Sequence, residues 1–411
     1  MRALFLPRLS DRASVPARRH ARGGARARGR VAGAGRVSDR PLRILHLAAN
    51  RWWTGSADPI IRLVVGLRAR GHHVLLGVTP GDRFEAKARE VGLPLVDGVR
   101  LRPRVSPVDL ARDAARLRAV VAGEGIDVVH AHHSHDHWLS LAVRPRRADG
   151  TRAALARTFH NVRSVRRSLA TRPLYRRTAA LFAVSRQIET ACREAGIPAE
   201  RVWWIPGAAD PRFRDSGDGE AIRREFGLGR APVVVSVARF AANRRHDLLL
   251  AGFGQLLEKL PDARLLLVGK GERRSRLEQL VADLGLQRRV IFTGYRDRDL
   301  PEVLAAADCF ALMAAGSDES CRAALEAMAA ARPVVARRVG ALPETVLDGK
   351  TGRLIEDERP ESVAAALAEI LGDPVRARAM GEAGRRRAAS EFSPERSVTI
   401  VEDVYRGILR V

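Results

Sequence analysis

The chain has 411 residues, 46% of them hydrophobic, and carries Lys+Arg 72 against Asp+Glu 47 for a net charge of +25. That length predicts two domains, each with enough apolar content for a core of its own. The 3 scattered cysteines exclude a disulfide framework and suit a reducing cytoplasm, and no uninterrupted apolar run approaches the about 18 residues of a spanning helix. The basic excess, nearly all of it Arg, points to an anionic partner: phospholipid, a phosphorylated glycan or nucleic acid.

Residues 1–40 are rich in Arg, Ala and Gly, lack hydrophobic periodicity, and are expected to be a disordered basic tail. A lipid- or nucleic-acid-binding arm, a transit peptide and a start codon placed too early compete as explanations. We prefer the last, with the true start at Val31 or Val37, and leave the tail out of the fold. Folding starts with a strand at Leu42 to Ala48, a turn that contains Gly55 and Ser56, and a helix over Ile60 to Arg70. A small residue in such a strand-to-helix turn lets a ligand approach the backbone; the bland alternative is a helix opened by Pro59 at its first position. A strand at Val74 to Val78, a helix over 108–123 and a strand from Ile126 to His130 follow. His130, His132, His133, His135 and His137 invite a metal, but the run sits at the carboxyl end of a strand and is given little weight as a metal site. Ala153 to Phe159 is the next strand, ending in His160, which by itself reads as structural. Arg163, Arg166, Arg167, Arg172, Arg176 and Arg177 then form a basic run, either a solvated face or an acceptor or membrane patch. Further strands read at Leu181 to Val184 and Val202 to Ile205, and residues 215–219 make a polar linker.

The second domain opens with a strand run over Ala231 to Phe240 that ends by Arg239 and Arg244, and continues with strands at 264–268, 290–294, 309–313 and 333–336, helices between. Gly269 and Gly271 form a turn on the phosphate side. Helices fill 360–390, and a last one runs over about 395–410. The stretch Asp308 to Val339 reads strand, loop, helix, strand, with Ser320 as the helix N-cap. Its corner lies where parallel sheets bind ligands, and the free N–H groups at the helix start suit phosphate. Asp318 and Glu326 frame that corner. They read either as a solvated loop acid and a helix-face acid, or as acceptors for sugar hydroxyls, because ionised carboxylates only accept. Eight helical residues span about 12 Å, too far for the carboxyl pair of a glycosidase.

Strands alternating with helices in two runs give an α/β fold of parallel sheets. The Asp318-x7-Glu326 spacing, with the LEAM, RPVVA, PE, DG and TG segments from Leu325 to Gly352, resembles the E-x7-E region of the family 4 retaining nucleotide-sugar glycosyltransferases of GT-B fold. The resemblance extends over about 42–410. It implies two Rossmann-like domains facing across a cleft: an acceptor domain at 41–214, a donor domain at 230–394, and a helix at 395–411 that crosses back. It also implies transfer of a sugar, with retained configuration, from a nucleotide-sugar to a glycan or lipid-linked acceptor, in cell-envelope polysaccharide or lipopolysaccharide synthesis. No cofactor or catalytic metal is implied. Glu326 would hold the donor ribose, and Asp318, in place of the family Glu, would touch the transferred sugar. Arg239 and Arg244 would clamp the diphosphate, with Arg244 at a family Lys and Arg245 at a family Gly. His160 would stand by the sugar. Gly55, Ser56, Gly269, Ser320, Cys321 and Arg322 would complete the donor site, and Arg163, Arg166 and Arg167 an acceptor or membrane patch. The enzyme is expected in the cytoplasm, on the inner face of the membrane if that patch docks there. A nucleotide-sugar epimerase of the same fold, a degenerate nucleotide-sugar-binding protein and, on charge alone, a nucleic-acid-binding protein are the rivals. The chain has no basic–aromatic pattern of an RNA or DNA module, so no nucleic-acid partner is expected.

Overall fold

The computed structural model describes residues 40–50, 57–102, 106–143, 150–215, 217–315 and 320–410. The expected tail up to residue 39, Gly55, Ser56 and Asp318 lie outside these residues. In the first half, β1 (Arg43–Ala48), α1 (Ala57–Ala69), β2 (His73–Val78), α2 (Arg83–Glu90), α3 (Pro107–Gly123), β3 (Val128–Ala131), α4 (Ser134–Val143), β4 (Ala154–Phe159), α5 (Arg172–Arg176), β5 (Ala180–Ala183), α6 (Arg186–Glu194) and β6 (Val202–Trp204) follow one another. The second half contains α7 (Glu220–Glu225), β7 (Val233–Val237), α8 (His246–Leu256), β8 (Arg264–Val268), α9 (Arg274–Asp283), β9 (Val290–Gly294), α10 (Leu300–Ala305), β10 (Cys309–Leu312), α11 (Arg322–Ala329), β11 (Val334–Arg337), α12 (Leu342–Thr345), β12 (Gly352–Ile355), α13 (Pro360–Leu371), α14 (Pro374–Glu391) and α15 (Pro394–Ile408).

Each half is built on a 6-stranded parallel sheet, in the order β2-β1-β3-β4-β5-β6 and β12-β11-β10-β7-β8-β9. Helices cover both faces, so the strands are apolar on both sides, as in the Val233–Val237 and Arg264–Val268 runs. One core lies on each face of each sheet. Strand order reverses between β1 and β3 in the first sheet, and between β7 and β10 in the second. Loops leave such a reversal in opposite directions and open a crevice at the carboxyl ends of the strands. This brings the segments after β7 and β10 together, though some 70 residues of chain separate them.

Two local features differ from the sequence reading. The His-rich run does not stay in a loop: α4 begins at Ser134. The signal is polar rather than apolar. The Asp136 carboxylate accepts from the backbone N–H of His133 at 3.1 Å and of Ala49 at 3.1 Å, capping the helix start and tying it to the end of β1. Nor is Ser320 the N-cap of α11. Cys321 holds that place, with φ 53° and ψ 44° and no side-chain cap bond. Ser320 is buried one residue earlier, close against Gly207, where an added Cβ would come 2.8 Å from the serine Cβ.

The last helix does not stay with the second sheet. Val398, Val401, Val404 and Tyr405 of α15 are buried in the core on one face of the first sheet, beside α1. Burial of such side chains contributes roughly 1.5–3 kcal/mol each. The Tyr405 hydroxyl also forms a 2.5 Å hydrogen bond with His130 Nδ1 on β3.

Candidate active site

A cleft of about 1820 Å³ runs between the halves. One wall is α1 with the start of α2. The other is the carboxyl edge of the second sheet at its reversal point. Arg239, Arg244, Gly269, Cys321, Arg322 and Glu326 all line it, so six of the residues singled out in the sequence meet in one place. Their convergence follows from topology: Arg239 and Arg244 leave β7, Gly269 leaves β8, and Cys321 to Glu326 follow β10.

Gly269 has a specific reason to be glycine. Its φ is 150°, and a Cβ there would lie 2.1 Å from the Ala238 carbonyl oxygen. The chain after β8 runs directly against the chain after β7, where the Phe240 N–H donates to the Lys270 carbonyl at 3.1 Å, so only glycine fits at 269. Arg239 is exposed and pairs with Glu272 at 2.9 Å on the cleft rim. Such a solvent-exposed pair holds Arg239 only weakly. Arg244 and the opening residues of α11 complete a cationic end of the cleft, to which the helix start adds its positive dipole.

Glu326 is 4% exposed. Arg322 Nε pairs with its Oε1 at 3.1 Å. Burial pushes the carboxyl above its usual range, against the pull of the Arg322 guanidinium. The position suits an acceptor for hydroxyl donors in the cleft.

His160 is placed elsewhere. It is buried at the end of β4, its ring 5.8 Å from that of His132 and 6.1 Å from that of His133. It does not line the cleft described above. The histidines of this corner form a stack under the edge of the first sheet. His46 Nδ1 and His132 Nε2 share a 2.9 Å hydrogen bond, and His130 uses both ring nitrogens, on Tyr405 and on Thr158. Ligand atoms of His46, His130 and His132 lie within 4.8 Å of one another. The rings of His46 and His132 are 16° from parallel and those of His130 and His132 19°, and four of the six ring nitrogens take part in hydrogen bonds. Burial drives His46 down to about 3 and holds His130 and His132 well below their ordinary value, which leaves the stack neutral. Beside it lies Arg157, 2% exposed and lowered by burial to about 10, with Asp136 raised by burial to about 7.

Arg163, Arg166 and Arg167 are exposed, as are Arg172 and Arg176 in α5 and Arg177 just after it. Leu169, in the middle of the run, is 77% exposed. Arg167 is paired with Glu194. Among the described residues, no helix is long and apolar enough to cross a membrane.

Family models agree with this geometry over both halves: "Glycosyltransferase Family 4" matches residues 54–213 and "Glycosyl transferases group 1" matches 218–387. A GDP-mannose-dependent alpha-(1-6)-phosphatidylinositol monomannoside mannosyltransferase of Mycobacterium tuberculosis is 31% identical over 358 residues, 84% of this chain and 91% of the relative. The chain belongs to the family 4 glycosyltransferases. The enzyme of the same description from Mycolicibacterium smegmatis is 40% identical over 195 residues; that match spans 46% of this glycosyltransferase and about half, 51%, of the relative. Among solved structures, the Anabaena protein HepE in complex with UDP superposes with a TM-score of 0.77 at 20% identity, covering 89% of this glycosyltransferase and 100% of that chain. WaaG, a glycosyltransferase involved in lipopolysaccharide biosynthesis, superposes at 0.64 with 20% identity, covering 87% and 99%. These neighbours share the GT-B arrangement of two parallel sheets across a cleft.

Sequence reasoning missed several lining residues of the cleft, among them Asp58, Arg62 and Asp210. The available signal was the placement of Asp58 and Arg62 four residues apart on one helix face.

Proposed function

We propose that this glycosyltransferase moves a hexose from a nucleoside-diphosphate sugar to a lipid-linked envelope glycan, with retention of configuration. The observation that carries the reading is the buried Glu326 in a cleft that Arg239, Arg244 and Gly269 also line. Glu326 accepts from the ribose hydroxyls, and the two arginines with the start of α11 neutralise charge on the departing diphosphate. That is electrostatic stabilisation in a site already organised for it. Asp318 touches the transferred sugar. No resident cofactor or metal takes part. GDP-mannose is the donor with most support, from the names of the relatives. A phosphoinositide mannoside is the corresponding acceptor, reached at the inner face of the cytoplasmic membrane through Arg163, Arg166, Arg167 and the exposed Leu169. Each such cation contributes about 1 kcal/mol at an anionic surface, screened by salt.

The test is calorimetry with GDP and UDP, followed by mannose transfer from GDP-mannose to phosphoinositide mannosides in phosphatidylinositol vesicles. Tight GDP binding with transfer is the expected result. Replacing the three arginines by Ala is expected to abolish vesicle sedimentation and leave GDP affinity in place. Binding of neither nucleotide refutes the donor site, and a wild type that ignores anionic vesicles at low salt refutes the docking surface.

A further inference from the structure

Glu326 is the end of a longer arrangement. Arg322, which pairs with it, also places Nη1 3.1 Å from Oδ2 of Asp58. That oxygen accepts from Arg62 Nε at 2.6 Å, and Arg62 Nη2 reaches Oδ2 of Asp210 at 2.5 Å. The same Asp210 oxygen takes Arg212 Nε at 3.0 Å. Glu326, Arg322, Asp58, Arg62, Asp210 and Arg212 thus form a single row of alternating charges. It starts on α11, crosses the cleft to α1, and returns on the segment that joins the halves. All six line the cleft.

Two of its contacts join the halves. Arg62 on α1 reaches Asp210, whose neighbours Ala209 and Phe213 are packed in a core of the second sheet, and Asp58 on α1 reaches Arg322 on the opposite wall of the cleft. The Asp58 side chain is 13% exposed and that of Arg322 26%. Charges this poorly hydrated are costly to leave short of partners, so the contact favours the closed cleft. Transfer needs closure. The donor is held by the second half, while the acceptor side lies in the first, and a misplacement of about 1 Å can cost a hundredfold in rate.

We propose that Asp58 is a positioning residue for sugar transfer: acting through Arg322, it holds the first half down on the donor-bearing second half. The proposal rests on the reading of Glu326 as the ribose acceptor. Asp58 itself does not touch the donor. Its loss acts on kcat and on the shape of the molecule, and not on nucleotide affinity.

The experiment is a double-mutant cycle of Asp58→Asn, Arg322→Gln and the double variant, in the full chain. Small-angle scattering gives the radius of gyration, and calorimetry with GDP and UDP gives affinity. Turnover of GDP-mannose with the vesicle acceptor gives kcat. Each single variant is expected to enlarge the radius of gyration, with the double variant no larger than either, the mark of a shared contact. Asp58→Asn should keep nucleotide affinity within about threefold while kcat falls at least about tenfold, and Asp58→Glu should recover part of the loss. Scattering identical to wild type, effects that add in the double variant, or a loss of nucleotide affinity in Asp58→Asn as large as in Glu326→Gln each overturns the proposal. Scattering needs no ligand, so the cross-cleft contact stands or falls separately from the donor reading, whose own failure shows as unchanged nucleotide affinity in Glu326→Gln. Should Asp58→Asn fail to fold, Asp58→Glu and Arg322→Gln carry the same comparison.

Discussion

Replacing Glu326 by Gln probes the donor site with the least disturbance of packing. The side chain is 4% exposed and the two residues are nearly isosteric, so no cavity opens. What changes is charge. A hydrogen bond to an ionised acceptor contributes about 1.5–3 kcal/mol, and its loss predicts a fall in GDP affinity of roughly 10- to 150-fold. Stability moves the other way, and with a definite pH dependence. Burial raises the folded-state pKa of Glu326 above its unfolded value, with Arg322 and Arg212 opposing and Asp58 and Asp210 assisting. Between those two values the folded protein binds more protons than the unfolded chain, so the wild type loses stability as pH rises through that window. Glutamine has nothing to titrate. The variant should therefore gain on the wild type as pH rises above the ordinary carboxylate range, and lose that advantage in acid. Calorimetric titration with GDP and melting curves at several pH values check both halves of the argument. A variant that binds GDP like the wild type, or whose melting temperature relative to wild type does not change with pH, refutes it.

Ala at Arg239 or Arg244 should cut turnover of GDP-mannose far more than it lowers the melting temperature, since Arg239 is exposed and held only by a rim partner; equal losses of both would make the residue structural. Arg245 carries φ 55° in the left-handed region, where a residue with a Cβ costs about 1–2 kcal/mol. Arg245→Gly should raise the unfolding free energy by about 1 kcal/mol in urea titrations despite the loss of its surface ion pairs.

The fold was legible because its strands are short apolar runs punctuated by Gly and Pro, and because parallel sheets place function at their carboxyl edge. Arg239, Gly269 and Glu326 could be found this way: each follows a strand or opens the helix after one. The helix at Ser134 could not, since its start is fixed by a carboxylate reaching back to Ala49 and not by apolar periodicity. The same holds for Cys321 in the N-cap place of α11. Its neighbour Ser320 packs against Gly207, a contact across more than a hundred residues of chain that no local pattern announces. Asp58 and Asp210 meet through Arg62 for a comparable reason: ion pairs between distant segments leave no local pattern.

The burial of α15 in the first half has a consequence for biosynthesis. The core beside α1 is missing Val398, Val401, Val404 and Tyr405 until the last segment is made. His130 likewise waits for the Tyr405 hydroxyl. At about 5–20 residues per second, the ribosome needs roughly 10–40 s to pass from the end of β6 to α15. Through that interval the nascent first half presents an apolar groove beside α1, while the second half folds behind it. Order of synthesis and order of completion are thus reversed: the part of the molecule translated first is the last to close.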